Sequence, residues 1–209
     1  MALRHARIRH AAARLARLAE VALARERLDS DVAVMKLEAV PLSRVLGDVL
    51  ALHDVPFDGA PPAGVSRWPL TVGGRAEGAL ELALPGNLPV LAADLNLLVI
   101  AVGNLVDNAR KYAEPASTVR LNVERDEEGS WGVHVETHGP ELTPEELERA
   151  FEKYWRRDER GEVEGAGLGL HLVRRIAELH GGRAHARTLG ARWTRFSIAI
   201  PPREAGAST

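Results

Sequence analysis

The chain turns on two runs, Asn104-Leu-Val-Asp-Asn108-Ala-Arg-Lys111-Tyr112 and Gly165-Ala-Gly167-Leu-Gly169-Leu170. Around the first, Leu98, Ala101, Val102, Leu105 and Ala109 recur at spacings of three and four, which predicts a helix with an apolar face. Asn104 and Asn108 lie four apart, so their carboxamides project from one side of that helix. Two amides and a lysine near one helix face suit a cation–phosphate site better than a core. The second run sets three glycines at alternate positions before Leu170-His-Leu-Val-Arg-Arg-Ile-Ala-Glu-Leu-His180, an amphipathic helix. Glycines there let backbone N–H groups approach an anion closely, and the helix adds its positive N-terminal end. Alone, the glycine run fits a flexible loop equally well; with the asparagine helix it reads as part of a phosphate site.

These residues carry a resemblance. Asn104–Tyr112 resembles the N-box of the histidine-kinase ATP-binding domain, Phe151-Glu-Lys-Tyr154-Trp-Arg156 its F-box, and Gly165–Leu170 its second glycine box. Order and spacing match too, over the stretch from Leu37 to Pro202. The resemblance implies the Bergerat fold, shared with gyrase-type and chaperone ATPases. This is an α+β, two-layer α/β sandwich in which helices cover one face of a mixed sheet. It also implies ATP and Mg²⁺ as cofactors. On that reading Asn108, helped by Asn104, supplies amide oxygen to Mg²⁺. Lys111 offers an ammonium to the phosphates, Tyr112 an aromatic surface to adenine, and Arg156 reaches phosphate beside a mobile lid, Arg157–Glu164. Gly165, Gly167, Gly169 and Leu170 line the phosphate side. Without the asparagines, Lys111 and Tyr112 would read as an exposed helix end, and Phe151 suits the core as well as the site.

Bulk composition sets limits. The 209 residues allow one domain with an appendage, or two small ones, and 45% hydrophobic content suffices for a core. A net charge of -2 argues against general nucleic-acid affinity. With no cysteine there is no disulfide frame, thiolate zinc site or cysteine nucleophile, which fits a reducing compartment. No stretch approaches the roughly 18 consecutive apolar residues of a membrane span, and no signal-peptide core opens the chain. A cytoplasmic location with no membrane contact of its own is expected, within a parent protein that could be membrane-anchored.

Residues 2–28 lack Gly and Pro, and Ile8, Ala11, Leu15, Leu18 and Ala22 follow a spacing of roughly 3.5, a seam for a partner helix. Arg4, Arg7, Arg9, Arg14 and Arg17 occupy the other, solvated faces. The expected division is 1–30, a dimerisation-type helix resembling the second helix of the kinase hairpin; 31–202, the ATP-binding domain; and 203–209, a disordered tail. A homodimer through this helix and a response regulator or receiver domain are the implied partners. Nothing resembles the phospho-accepting His-Glu-Leu-Arg-Thr-Pro motif, and His5 and His10 read as surface histidines. Further along, Val32–Leu37 is expected as a strand, Pro41–Leu52 as a helix capped near Ser43, and 55–66 as loop. Trp68–Val72 with Ala79–Leu84, and Thr118–Glu124 with Trp131–Glu136, read as hairpins. Asp94 is the expected cap of the asparagine helix, Pro144 opens another helix, and Ala184–Thr188 with Thr194–Ile200 close the sheet.

The pattern breaks in three places. The family's first glycine box runs Asp-x-Gly-x-Gly, and here Thr137-His138-Gly139-Pro140-Glu141 replaces the Asp by Thr and the second Gly by Glu. Glu136 would replace the Asp only if a bulge shifted the strand register. Four residues before Asn104, where active kinases carry Glu or Gln, stands Ile100. The last box, Gly-x-Gly-Thr, reads Ala191-Arg-Trp193-Thr194. The reading is an ATP-binding domain of a two-component sensor histidine kinase with weakened nucleotide binding, its acceptor His unrecognised in this chain. The alternatives are a pseudokinase serving as a dimerising interaction module, and a superfamily kinase acting on a partner's Ser.

Overall fold

The computed structural model describes residues 35–53, 55, 64–72, 75–157 and 167–202. The expected helix 2–28 with His5 and His10, the start of the expected first strand, most of the expected lid with Gly165, and the tail from 203 lie outside them. Strand β1 (Glu38–Pro41) leads into helix α1 (Leu42–Leu52), followed by β2 (Gly64–Val72), β3 (Arg75–Leu84) and β4 (Val90–Ala93). Helix α2 (Leu95–Tyr112), β5 (Thr118–Arg125), β6 (Trp131–His138), α3 (Pro144–Arg149), α4 (Gly169–Leu179), β7 (Arg183–Gly190) and β8 (Trp193–Ile200) complete the order. Among the described residues six strands form one sheet in the order β2-β3-β5-β6-β8-β7, and β1 pairs with β4 separately. The β3–β5 pair is parallel and the other pairs are antiparallel, so the sheet is mixed, as expected.

Helices cover one face of this sheet. Val119, Leu121 and Val123 alternate along β5 toward them, as do Val133 and Val135 on β6 and Phe196, Ile198 and Ile200 on β8. Helix α2 is buried along most of its circumference and packs against α1, α4 and strands β5, β6 and β8. Asp94 caps it as expected: its Oδ1 accepts from Asn96 N at 3.0 Å and Leu97 N at 3.1 Å.

Three boundaries differ from expectation. The first strand among the described residues is Glu38–Pro41, and residues 35–37 of the expected strand Val32–Leu37 lie before it: pairing with Val90–Ala93 buries Val40, while Leu37 is 47% exposed. Helix α1 starts at Leu42, with Pro41 extended before it and no side-chain cap, because Leu42 N donates to the Pro89 carbonyl at 2.8 Å. Strand β2 begins at Gly64, inside the stretch expected as loop. It is an edge strand, where Pro69 costs no interior ladder bond.

The sheet face turned away from the helices is polar. Arg195 Nε donates to Glu136 Oε1 at 2.8 Å, Asn122 Nδ2 donates to the same oxygen at 2.9 Å, and Arg195 Nη1 lies 3.2 Å from Glu124. His134, on the same face, places Nδ1 2.8 Å from Ser197 Oγ. Burial, and then the Arg195 charge, push its pKa from 6.5 down to about 4. The folded state thus favours neutral His134, and on acidification the unfolded chain takes up this proton first. This contribution is complete above about pH 6.5 and is lost as pH falls toward 4, by an amount on the order of 2–3 kcal/mol. Urea denaturation of wild type and His134→Gln across that window should show a shallower pH slope in the variant.

Candidate functional site

A cavity of about 850 Å³ opens between α2, α4 and the ends of β5, β6 and β8. Its α2 wall is made by Asn104, Asn108, Lys111 and Tyr112, the run expected to form the site, with Asp107 and Arg110 between them. Asn104 Nδ2 donates to the Ile100 carbonyl one turn earlier at 2.8 Å, which turns its Oδ1 toward Gly169. A Cβ on Gly169 would lie 2.9 Å from that oxygen, so a larger residue here would push the Asn104 amide aside. Lys111 is exposed at the rim, whereas Asn108 and Tyr112 are half-buried.

The opposite wall is the beginning of α4, where Gly167, Leu168, Gly169 and Leu170 all line the cavity. Gly167 has φ +69, and a Cβ there would come within 2.8 Å of the Tyr154 carbonyl carbon. Tyr154 N donates back to the Gly167 carbonyl at 3.0 Å, so this glycine turn and the end of the expected F-box hold each other. Leu168 is the N-cap, and no side chain caps α4. The first N–H groups of an 11-residue helix therefore open on the cavity without a side-chain acceptor, an arrangement that favours an anion. Arg156 and Trp155 add to this side, while Phe151 is core, 1% exposed and tilted against Phe196.

At the far end Thr137 and Thr194, neighbours across the β6–β8 ladder, line the cavity and are each 4% exposed. Thr137 Oγ1 donates to the Ala109 carbonyl at 3.2 Å, which commits its proton and leaves its lone pairs for a ligand N–H. Gly139 also lines the cavity, and a Cβ there would meet the Tyr112 carbonyl oxygen at 2.6 Å. The β6–β8 register runs unbroken from Trp131 to His138, so Glu136 faces the other side of the sheet, paired with Arg195. Glu136 takes no part in the cavity.

The remaining departures fall outside the cavity. Trp193 faces the outer side, with the Arg120 guanidinium 4.1 Å from its ring centroid and His138 edge-on at 5.5 Å. Glu141 is exposed and contributes no wall. Ile100 is 3% exposed in the core, so its position presents no group to a reacting atom.

The structure also adds Asp107, Leu142 and Arg157 to the walls, none of which the sequence reading assigned to nucleotide. Asp107 was legible as a position three after Asn104 and four before Lys111, on the same helix face. Arg157, the first residue of the expected lid, donates from Nη1 to the Pro140 carbonyl at 3.1 Å and from Nη2 to the Glu141 carbonyl at 2.7 Å.

The donor set suits a nucleotide with Mg²⁺. That ion takes few protein oxygens and relies on phosphate and water for the rest, which the Asn104 and Asn108 amides and a phosphate held at α4 can provide. Among the described residues no three His, Cys, Asp or Glu side chains cluster as a metal site of their own.

The chain is similar to known proteins. The family model described as histidine kinase-, DNA gyrase B-, and HSP90-like ATPase matches residues 93–204. The sensor-like histidine kinase SenX3 of Mycobacterium tuberculosis (strain ATCC 25618 / H37Rv) is 32% identical over 171 residues, 80% of this chain and 41% of that protein. The sensor histidine kinase CusS of Escherichia coli O157:H7 is 34% identical over 126 residues, 59% of this chain and 26% of that protein. The solved mycobacterial sensor histidine kinase MprB matches with a TM-score of 0.52 and 26% identity, covering 59% of this chain and 81% of that one. This chain thus spans about two fifths or less of the curated relatives it matches. By its fold, its cavity and a family match across more than half its length, the chain belongs to the histidine kinase-, DNA gyrase B- and HSP90-like ATPases.

Proposed function

We propose that this chain is the ATP-binding domain of a two-component sensor histidine kinase, with its grip on the nucleotide weakened at the base end. One observation carries the reading: the uncapped start of α4 faces Asn104 and Asn108 of α2 across one cavity, with Gly169 close against the Asn104 amide. The helix end, Arg156 and Lys111 receive the triphosphate, and Asn108 with Asn104 presents amide oxygen to Mg²⁺. When bound, the ion offsets the phosphate charge. Tyr112 and Leu142 cover the base. Thr137 accepts from it with a neutral hydroxyl where the family pattern has a carboxylate, a loss of about 1.5–3 kcal/mol. The phosphoryl acceptor is a His outside the motifs of this chain, and a response regulator or receiver domain follows it. Residues 1–30 form the dimer contact. Among the described residues no helix is long and apolar enough to cross a membrane.

A second reading, a pseudokinase that serves as a dimerising interaction module, is favoured by Ile100. A core side chain stands there, and it can neither accept nor orient a proton. Mixing the full-length parent with Mg²⁺ and labelled ATP separates the two, because only the kinase gains acid-labile phosphate.

Calorimetric titration with Mg²⁺ plus ATP or GTP should find weak binding with little preference between the bases. Thr137→Asp has no proton to give the Ala109 carbonyl, so its carboxylate turns into the cavity. It should tighten ATP by about 1–2 kcal/mol and leave GTP nearly unchanged. Tight, adenine-selective binding by the wild type contradicts the weakened site.

The Ile8, Leu15 and Leu18 seam would be left bare in a monomer. Sedimentation should therefore give a dimer for the full chain and a monomer once residues 1–28 are removed. Monomers in both cases would refute the dimer contact.

A further inference from the structure

Arg157 joins two parts of the cavity wall that the chain separates. Its Nη1 and Nη2 donate to the Pro140 and Glu141 carbonyls at 3.1 and 2.7 Å, and its Nε lies 3.3 Å from Glu146 Oε1. The other oxygen of Glu146 accepts from Thr143 N at 2.8 Å, within the capping box that starts α3. One guanidinium thus closes the segment from Pro140 to Glu146 into a ring. The near end of that segment is already fixed, since Gly139 N donates to the Arg192 carbonyl at 3.0 Å. Gly139, Pro140 and Leu142 are cavity wall, next to Thr137, and Arg157 itself lines the cavity directly after Arg156 on the phosphate side. Its contacts are polar and its side chain is 35% exposed, so the core does not depend on it.

We propose that Arg157 is a positioning residue for the nucleotide: it holds the Gly139–Leu142 wall against the base and ties that wall to the phosphate side. The inference rests on the nucleotide reading above. The planar fork suits this task because it meets two carbonyls and a carboxylate at once, which an ammonium on a flexible stem does not. Without it, the wall departs and the bound base loses its cover, so release accelerates while encounter is little changed.

The test is stopped-flow release of a fluorescent ATP analogue with Mg²⁺ from the full chain, with thermal melting and hydrogen exchange of residues 139–146 measured without nucleotide. Arg157→Ala should release nucleotide about tenfold faster, with an association rate within about twofold of wild type. Its melting temperature should be nearly unchanged, and the 139–146 amides should exchange faster. Arg157→Lys should fall between the two. Glu146→Gln, which keeps an acceptor for Thr143 N, should raise release only about two- to threefold. Release from Arg157→Ala at the wild-type rate would refute the positioning role and leave the nucleotide reading standing. So would faster release accompanied by a general loss of melting temperature. A wild type that binds none of the analogue would overturn both.

Discussion

The hydrogen bond from Asp94 N to His180 Nε2, 3.0 Å long, fixes how the two walls of the cavity meet. His180 is 1% exposed, and its Nδ1 lies 2.8 Å from the Ile176 carbonyl. These partners define a neutral ring with its proton on Nδ1. Asp94 is also the cap of α2, and its second oxygen accepts from Lys36 N at 3.0 Å. The start of α2 and the end of α4 are therefore joined at one part-buried point, from which the two antiparallel helices extend side by side. At about 1.5 Å per residue, Asn104 lies roughly 15 Å along α2 from this junction and Gly169 roughly 16 Å along α4. The equal lengths bring Asn104 and Gly169 opposite each other, so a contact far from the cavity sets the spacing of its two walls.

This arrangement explains why some of the molecule was legible in the sequence. The α2 pattern, the Asp94 cap, the hairpins and the glycine turn depend on short-range rules, and each appears within a few residues of where those rules put it. What was missed depends on partners far along the chain. Gly64 to Ser66 read as loop from local composition, yet the pairing of Gly64↔Leu84 and Ser66↔Leu82 makes them strand. Arg157 belongs to the cavity because of what stands across from it, and no local motif marks it. Glu136 is the instructive opposite case. The alternation of side chains along a strand already put it on the wrong face, and the unbroken register keeps it there.

The departures from the family pattern, equal on paper, are unequal in space. Thr137 alone faces the cavity. The positions occupied by Trp193 and Ile100 look to the outer face and the core, and Glu141 looks to solvent. The turn before Trp193 is also built to hold without glycine: Ala191 and Arg192 sit at φ 47 and 65, and Arg192 is paired with Glu114, which also holds His138 at 2.8 Å. Strain of this kind costs on the order of 1–3 kcal/mol per residue, and the Arg192–Glu114 ion pair opposes its release.

The polar outer face has a consequence for how the domain can grow. Arg195 and Glu136 are only 11% and 6% exposed, yet they lie on the open side of the sheet, already paired and hydrogen-bonded. A helix laid over them would meet charges that are already paired with one another and offer it no new partner. A third layer there would have to match this polar face rather than bury it against apolar side chains. At the β2 border, Pro69 interrupts the row of N–H groups that an added strand would need. Enlargement by a neighbouring strand is left to the β7 border, on the far side of the sheet.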